Sequence, residues 1–242
     1  MKIVIVGASS GIGYEVAELF IKSGWKTTIC ARRVEKLEPL VKINPENVKA
    51  YSLDICSSEC EFQLEKILSE DIKTNIYFHV AGIGNHNQAL DSKIELATIA
   101  TNCEGFVRCI DTAFNYFRKN GGGHIAAISS IAGTKGLGAA PAYSASKKMQ
   151  STYLQSLSQL SSLISTKITI TDIRPGFVKT DLLDSKRNYP LLMDKKYVAK
   201  KIYKSIIHKK RIKIIDWKYA ILVYFWRMIP RFIWERLKID AK

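Results

Sequence analysis

Three side chains in this 242-residue chain have the types and order that proton transfer to an oxygen requires: Ser130, Tyr143 and Lys147, in the runs ISSIAG and YSASK. Tyr143 and Lys147 are four apart, so on a helix they share a face about one turn from each other, where an ammonium can act on a phenol. With an unperturbed pKa of about 10, a phenol is a poor proton shuttle at neutral pH until an adjacent cation lowers that value. Ser130 adds a hydroxyl able to hold a carbonyl oxygen. The trio reads as a proton donor to a ketone or aldehyde; the plainer reading is an aromatic ring packed under a lysine stem.

A second signal opens the chain. Residues 2–6 are an apolar strand, Gly7 to Gly13 is a turn, and 14–22 has helical spacing, so backbone N–H groups and a helix N-terminus face an anion. That is a pyrophosphate cradle. As a mere strand-to-helix loop it would carry three glycines, each with an entropic penalty and no evident structural need.

With these motifs the chain resembles the short-chain dehydrogenase/reductase family. KIVIVGASSGIG has the family's glycine pattern at Gly7, Gly11 and Gly13, and ISS, YSASK and RPGFVKT follow in the family's order, over residues 1–216. The resemblance implies a catalytic set of Ser130, Tyr143, Lys147 and Asn102, the last in TNCEG, whose counterpart holds a water near the lysine and links the site to solvent. A lone Asn in a helix lowers propensity a little, which suits a bent helix with a functional carbonyl. The resemblance also implies a nicotinamide dinucleotide held by Gly7, Ser9, Ser10, Gly11, Ile12 and Gly13. Asp54 and the Ile55 N–H would lie near the adenine, although Asp54 reads equally as an N-cap for a helix beginning near Ser57. Ala81 and Gly82 would allow close approach of backbone to cofactor, and Tyr143 and Lys147 would face the nicotinamide. Pro175, Gly176, Val178 and Thr180 would border the nicotinamide amide or a phosphate, or else form an ordinary strand-ending turn. One departure stands out: His79-Val80-Ala81-Gly82 replaces the family's Asn-Asn-Ala-Gly, removing the asparagine hydrogen bonds of that turn. His79 itself reads as a structural histidine at the end of an apolar strand.

The end of the second strand bears on the choice of cofactor. Residues 26–30 lead into Ala31, Arg32 and Arg33, where a grip on the ribose 2′-hydroxyl of NAD would need a carboxylate. Two guanidiniums suit a 2′-phosphate through bidentate charge-assisted bonds, favouring NADP(H) over NAD(H), unless they merely start a solvated helix.

Strand-like runs at 3–6, 27–31, 48–52, 76–80, 124–129, 168–173 and 212–215 alternate with helical stretches. The expectation is an α/β chain, a single doubly wound Rossmann domain with a parallel sheet of about seven strands and helices on both faces. Its active site then lies at the carboxyl ends of the strands, where Ser9, Ser130 and Pro175 converge. The domain is expected over 1–216, followed by an extension over 217–242 that is not a domain of its own. Long helices at 97–119 and 142–163 imply, by resemblance, a homodimer or homotetramer.

The five cysteines have no paired C-x-x-C spacing, which fits a reducing cytoplasm, and the four histidines form no metal-binding array, so no metal is expected. Met1-Lys2 leads directly into a core strand, so no cleavable leader is expected. Charge is the unusual feature. The last 57 residues hold 17 of the 37 Lys+Arg and 4 of the 22 Asp+Glu, placing +13 of the net +15 there. The extension WKYAILVYFWRMIPRFIWERLK interleaves aromatics with cations. Charges and Pro230 recur before ~20 apolar residues accumulate, so it does not read as a membrane span. It reads as an interfacial segment for an anionic membrane surface, placing the protein in the cytoplasm and peripherally at a membrane, or as a dimer arm or lid. Single-stranded nucleic acid also suits interleaved aromatics and cations, but no binding module accompanies them.

These signals point to an NADP(H)-dependent oxidoreductase interconverting a carbonyl and an alcohol, with few charges along 83–91 and 134–141 favouring a lipophilic substrate. The rival readings are an NADPH-binding regulatory or scaffold protein with a membrane- or RNA-binding tail, and a redox-neutral epimerase using the same site.

Overall fold

Seven parallel strands run through the chain in the computed structural model, which describes residues 1–183 and 187–239. Residues 184–186 of the expected pocket-shaping run 177–193, and 240–242 of the expected extension, lie outside the described residues. The strands are β1 (Lys2–Val6), β2 (Lys26–Ala31), β3 (Val48–Ser52), β4 (Thr74–His79), β5 (Gly123–Ile128), β6 (Ile168–Pro175) and β7 (Ile212–Ile215). Their order across the sheet is β3-β2-β1-β4-β5-β6-β7, so the winding reverses between β1 and β4. A crevice opens at such a switch point beyond the carboxyl ends of the strands.

Every residue of β1 is buried, as expected for a central parallel strand covered on both faces. The strand's period of two sends Ile3 and Ile5 into one apolar layer, with Phe20 of α1 (Gly11–Lys22) and Ile202 of α7 (Lys195–Ile207). Val4 and Val6 enter the opposite layer, with Leu64 of α3 (Cys60–Ser69), Phe117 of α5 (Phe106–Lys119) and Leu154 of α6 (Pro141–Leu163). The short α2 (Glu38–Val41) precedes β3 at the sheet's edge.

Between α4 (Ser92–Ile99) and α5 the helix widens into a π segment, Ala100–Gly105, which contains Asn102. Such a segment breaks the regular ladder and frees a carbonyl for another partner. Gly105 is needed here: a Cβ would lie 2.9 Å from both the side chain and the carbonyl oxygen of Ile55.

Beyond β7 come α8 (Trp217–Met228), capped by the Asp216 carboxylate accepting the Lys218 N–H, and α9 (Arg231–Trp234) after Pro230. Tyr219, Val223 and Trp234 are buried against the body of the fold. Gly176 admits this packing, since a Cβ there would fall 2.3 Å from the Tyr219 ring. No helix among the described residues is long and apolar enough to cross a membrane.

Candidate active site

One cavity of about 470 Å³ lies at the carboxyl ends of the strands and gathers the residues singled out in the sequence. The β1–α1 turn contributes Gly7, Ser9, Ser10, Gly11, Ile12 and Gly13, and β2 delivers Arg32 and Arg33, both exposed at the cavity wall. Asp54 and Ile55 follow β3; Ala81 and Gly82 follow β4; Ser130 follows β5; Pro175, Gly176, Val178 and Thr180 end and follow β6. Tyr143 and Lys147 enter from α6. Asn102 stands just behind this lining, fully buried.

The glycine turn has the geometry of an anion cradle. Gly7 and Gly11 have φ of +99° and +56°, the left-handed region that glycine tolerates. At Gly7 a Cβ would be 2.5 Å from the Ala81 nitrogen, and at Gly13 it would be 2.1 Å from the Gly7 oxygen, so only bare backbone fits. Ser10 occupies the N-cap of α1 without a side-chain capping bond, leaving first-turn N–H groups for another acceptor. Thr180 lies across this turn, 3.3 Å from where a Gly11 Cβ would stand. These residues fit a dinucleotide: a tight cradle for the pyrophosphate, two guanidiniums at the ribose end and an open slot beside Pro175.

Asp54 accepts the Cys56 N–H at 3.0 Å, closing a turn before α3. That helix begins at Cys60 rather than near Ser57, because the turn closed by Asp54 takes up the intervening residues. The turn at 80–83 shows how the chain manages without the expected asparagines. Val80 and Ala81 both donate N–H bonds to the Val6 carbonyl, and Val80 packs where Gly13 leaves room. Asn102 then clamps Ile83 from both sides, accepting its N–H at 2.9 Å and donating to its carbonyl at 2.7 Å. His79 is buried beside Phe106, its Nδ1 2.9 Å from the Tyr77 hydroxyl. Burial, and secondarily the Lys147 charge, pushes its pKa down to about 3.

Ser130 follows β5 in extended backbone, its Oγ accepting the Ala132 N–H at 3.1 Å. Burial holds the Tyr143 phenol above its ordinary value, while its hydrogen bond with Ser130 pulls the other way. Lys147 is buried, and desolvation brings its pKa down to about 8 against the opposing charge of Asp172. Asp172 is held in turn by the Ser129 hydroxyl and by Arg174 at 2.6 Å.

Within the chain the lysine has two close acceptors. Its ammonium donates to the Ile128 carbonyl at 3.2 Å and to Gln150 Oε1 at 2.9 Å, and stands 5.7 Å from the centre of the Tyr143 ring. Gln150 Nε2 donates to the Asn102 carbonyl at 2.8 Å. A side-chain amide therefore links the Asn102 carbonyl directly to Lys147. The π segment explains why that carbonyl is available, and Gln150, three residues after Lys147, shares its face of α6.

Two further features escaped sequence reasoning. Tyr219 of α8 accepts the Phe177 N–H at 3.1 Å and donates toward the carbonyls of Pro190 and Leu191 at 2.8 and 3.1 Å, so the C-terminal segment ties down the loop after β6. Cys60 and Cys109 bring their sulfurs to 3.5 Å in the core without a bridge. No cluster of metal-ligating side chains occurs among the described residues.

Comparison with known proteins decides the family, because the short chain dehydrogenase model matches residues 1–190. The chain belongs to the short-chain dehydrogenase/reductase family of oxidoreductases. Within that family it is 30% identical over 241 residues to an uncharacterized oxidoreductase of Mycobacterium tuberculosis, covering 95% of this chain and 94% of the relative. It is also 30% identical to dehydrogenase/reductase SDR family member 7B of Xenopus tropicalis, over 74% of this chain and 62% of that protein. Among solved structures, a short-chain dehydrogenase from Streptomyces avermitilis superposes with a TM-score of 0.80 at 20% identity, covering 94% and 92% of the two chains. One from Sphingobium yanoikuyae in complex with NADPH gives 0.77 at 21% identity over 100% and 98%. At these identities the structural matches speak for the fold.

Proposed function

We propose that this family member interconverts a lipophilic carbonyl and its alcohol, with NADP(H) as the hydride carrier. The observation that carries the reading is the convergence of Ser130, Tyr143 and Lys147 on the same cavity as the glycine cradle. When bound there, a reduced nicotinamide supplies the hydride.

The chain's own groups handle the oxygen and the proton. Ser130 Oγ offers a hydrogen bond to the carbonyl oxygen. Burial keeps Tyr143 protonated at neutral pH, so it stands ready as the acid. With a pKa of about 8, the Lys147 ammonium is mostly charged at pH 7 and stabilises negative charge on the phenol as the proton leaves. Gln150 and the Ile128 carbonyl aim that ammonium, and Asn102 fixes the turn at 81–83 against it.

Arg32 and Arg33, with Ala31 in place of a carboxylate, support NADP(H) over NAD(H). Solved structures sharing this fold carry NADP or NADPH in several cases and NADH in another, so the choice of cofactor rests on the two arginines. Leu137, Phe177, Leu182, Leu183 and Trp226 give the cavity an apolar wall, which supports a lipophilic substrate. A homodimer or homotetramer built through α5 and α6, in a cytoplasmic setting that leaves the cysteines unbridged, belongs to the same reading. The test is optical NADPH oxidation against a panel of short polar and long-chain carbonyls. Turnover confined to apolar members supports the reading; turnover of polar members alone overturns the substrate class, and turnover with NADH alone overturns the cofactor choice.

A further inference from the structure

The C-terminal segment presents an apolar face that its own chain leaves uncovered. Along α8, Trp217, Ile221, Tyr224 and Met228 fall at i, i+4, i+7 and i+11, one stripe of the helix, and each is between 50% and 66% exposed. Phe225 and Phe232 extend the stripe, also exposed. The opposite face, through Tyr219 and Val223, is buried in the body, and Trp234 donates its Nε1–H to the Gly136 carbonyl at 2.7 Å. Lys135 reaches across to the Ile229 carbonyl at 2.8 Å. The stripe is thus held outward by a helix anchored on its other side. A contiguous apolar patch of this kind on a fixed helix marks a contact surface.

We infer that this face docks on an anionic lipid bilayer. The charge around it selects that occupant. Lys218 and Arg227 stand on either side of the stripe on α8, Arg236 and Lys238 follow in sequence, and of the segment's two acids, Glu235 and Asp240, Glu235 is paired with Arg231 at 2.6 Å. A second copy would bring one strongly basic C-terminal region against another, which like-charge repulsion opposes. Nucleic acid would satisfy the cations and the exposed rings but would leave the aliphatic Ile221 and Met228 without an apolar partner. Aromatic and aliphatic side chains at the acyl boundary, with cations at the headgroup level, match a bilayer carrying negative charge.

Docking in this way would also orient the enzyme. Trp226, on the inward face of α8 opposite the stripe, and Ile239 beyond α9 line the cavity that holds Ser130 and Tyr143, so the helix that docks also walls that cavity. A lipophilic carbonyl held in the bilayer would then be concentrated beside the protein that reduces it. This delivery role rests on the carbonyl-reductase reading; the docking itself does not.

The test is co-sedimentation of the full chain with vesicles of phosphatidylcholine alone and of phosphatidylcholine mixed with phosphatidylglycerol, beside a Tyr224→Glu/Phe225→Glu double variant. Both side chains point to solvent, so melting temperature and NADPH affinity should match the parent and serve as fold controls. Expected are binding to the anionic vesicles that weakens with salt, little binding to the neutral ones, and a loss of about ten-fold or more in the double variant. The inference is overturned if neither vesicle binds the parent, if the variant binds as well as the parent, if a single-stranded oligonucleotide displaces the vesicles, or if the two substitutions dissolve a dimer instead. NADPH turnover of a water-soluble carbonyl, measured without vesicles, separates a failure of docking from a failure of the catalytic reading.

Discussion

Replacing Gln150 with Leu should uncouple the lysine from its support while leaving the volume of the core nearly unchanged. Two buried hydrogen bonds disappear, one to the Lys147 ammonium and one to the Asn102 carbonyl. The first involves a charge and the second strands a buried acceptor, so a combined loss of about 2–5 kcal/mol is expected. In a chain of this size that lowers Tm by about 5–15 °C. Activity should change in a way that mere destabilisation does not reproduce. Lys147 already sits at a pKa of about 8 because burial opposes its charge. Losing an acceptor disfavours the ammonium further, and the bond's worth corresponds to about one unit or slightly more. In the proposed mechanism the charged form is the working one, so carbonyl reduction should fall as pH rises through this pKa. The limb near pH 8 should therefore move down by about one unit, reducing turnover roughly five-fold at pH 8 and little at pH 6. The assay is a pH profile of NADPH-dependent reduction beside thermal melting. A Tm within about 2 °C of the parent together with an unmoved alkaline limb would refute the claim that this amide holds the lysine.

Other perturbations probe other parts of the account. Arg32→Ala/Arg33→Ala should weaken NADPH binding by about ten-fold or more while changing NADH little, measured by fluorescence titration; equal losses for both cofactors would contradict the 2′-phosphate assignment. Gly84→Ala places a Cβ 2.6 Å from the Tyr143 ring, so the ring must move. Turnover should drop by about 100-fold with cofactor affinity retained, and unchanged turnover would show that the ring's position is not critical. Acid should destabilise the fold through its buried histidines. His79 and His124 are held neutral at pKa values of about 3 and 4, whereas the unfolded chain takes up their protons below about 6.5. Stability is therefore complete above about 6.5 and is lost as pH falls toward 3, by several kcal/mol in all. Melting curves across that range should show a shallower decline in His79→Asn than in the parent, and parallel declines would remove His79 from the explanation.

The seven strands were legible because parallel central strands read as unbroken apolar runs between glycines and polar breaks. Their ends were less so: β4 begins at Thr74 rather than 76, and β6 continues through Pro175. The Tyr143–Lys147 pair was legible from its spacing of four, and its meeting with Ser130 was what the family resemblance implied, since Ser130 follows β5 and α6 brings the pair to the same cavity. Gln150 was not legible, because a glutamine on a long helix looks like an ordinary polar residue until the π segment turns the Asn102 carbonyl toward it. Cys60 and Cys109 meet only through the packing of α3 on α5, which spacing rules for neighbouring cysteines do not capture. Tyr219 was hidden among the aromatics of the C-terminal segment. Which ring turns inward depends on where Gly176 leaves space.

The most direct measurement is NADPH oxidation by Tyr143→Phe beside the parent enzyme, on whichever carbonyl the parent reduces. The substitution removes one hydroxyl from a ring that otherwise keeps its packing. The account predicts turnover lower by at least about 1,000-fold, as for a group acting only in the transition state, with NADPH affinity within a few-fold of the parent. Comparable turnover in the two proteins would contradict Tyr143 as the proton donor and with it the mechanism.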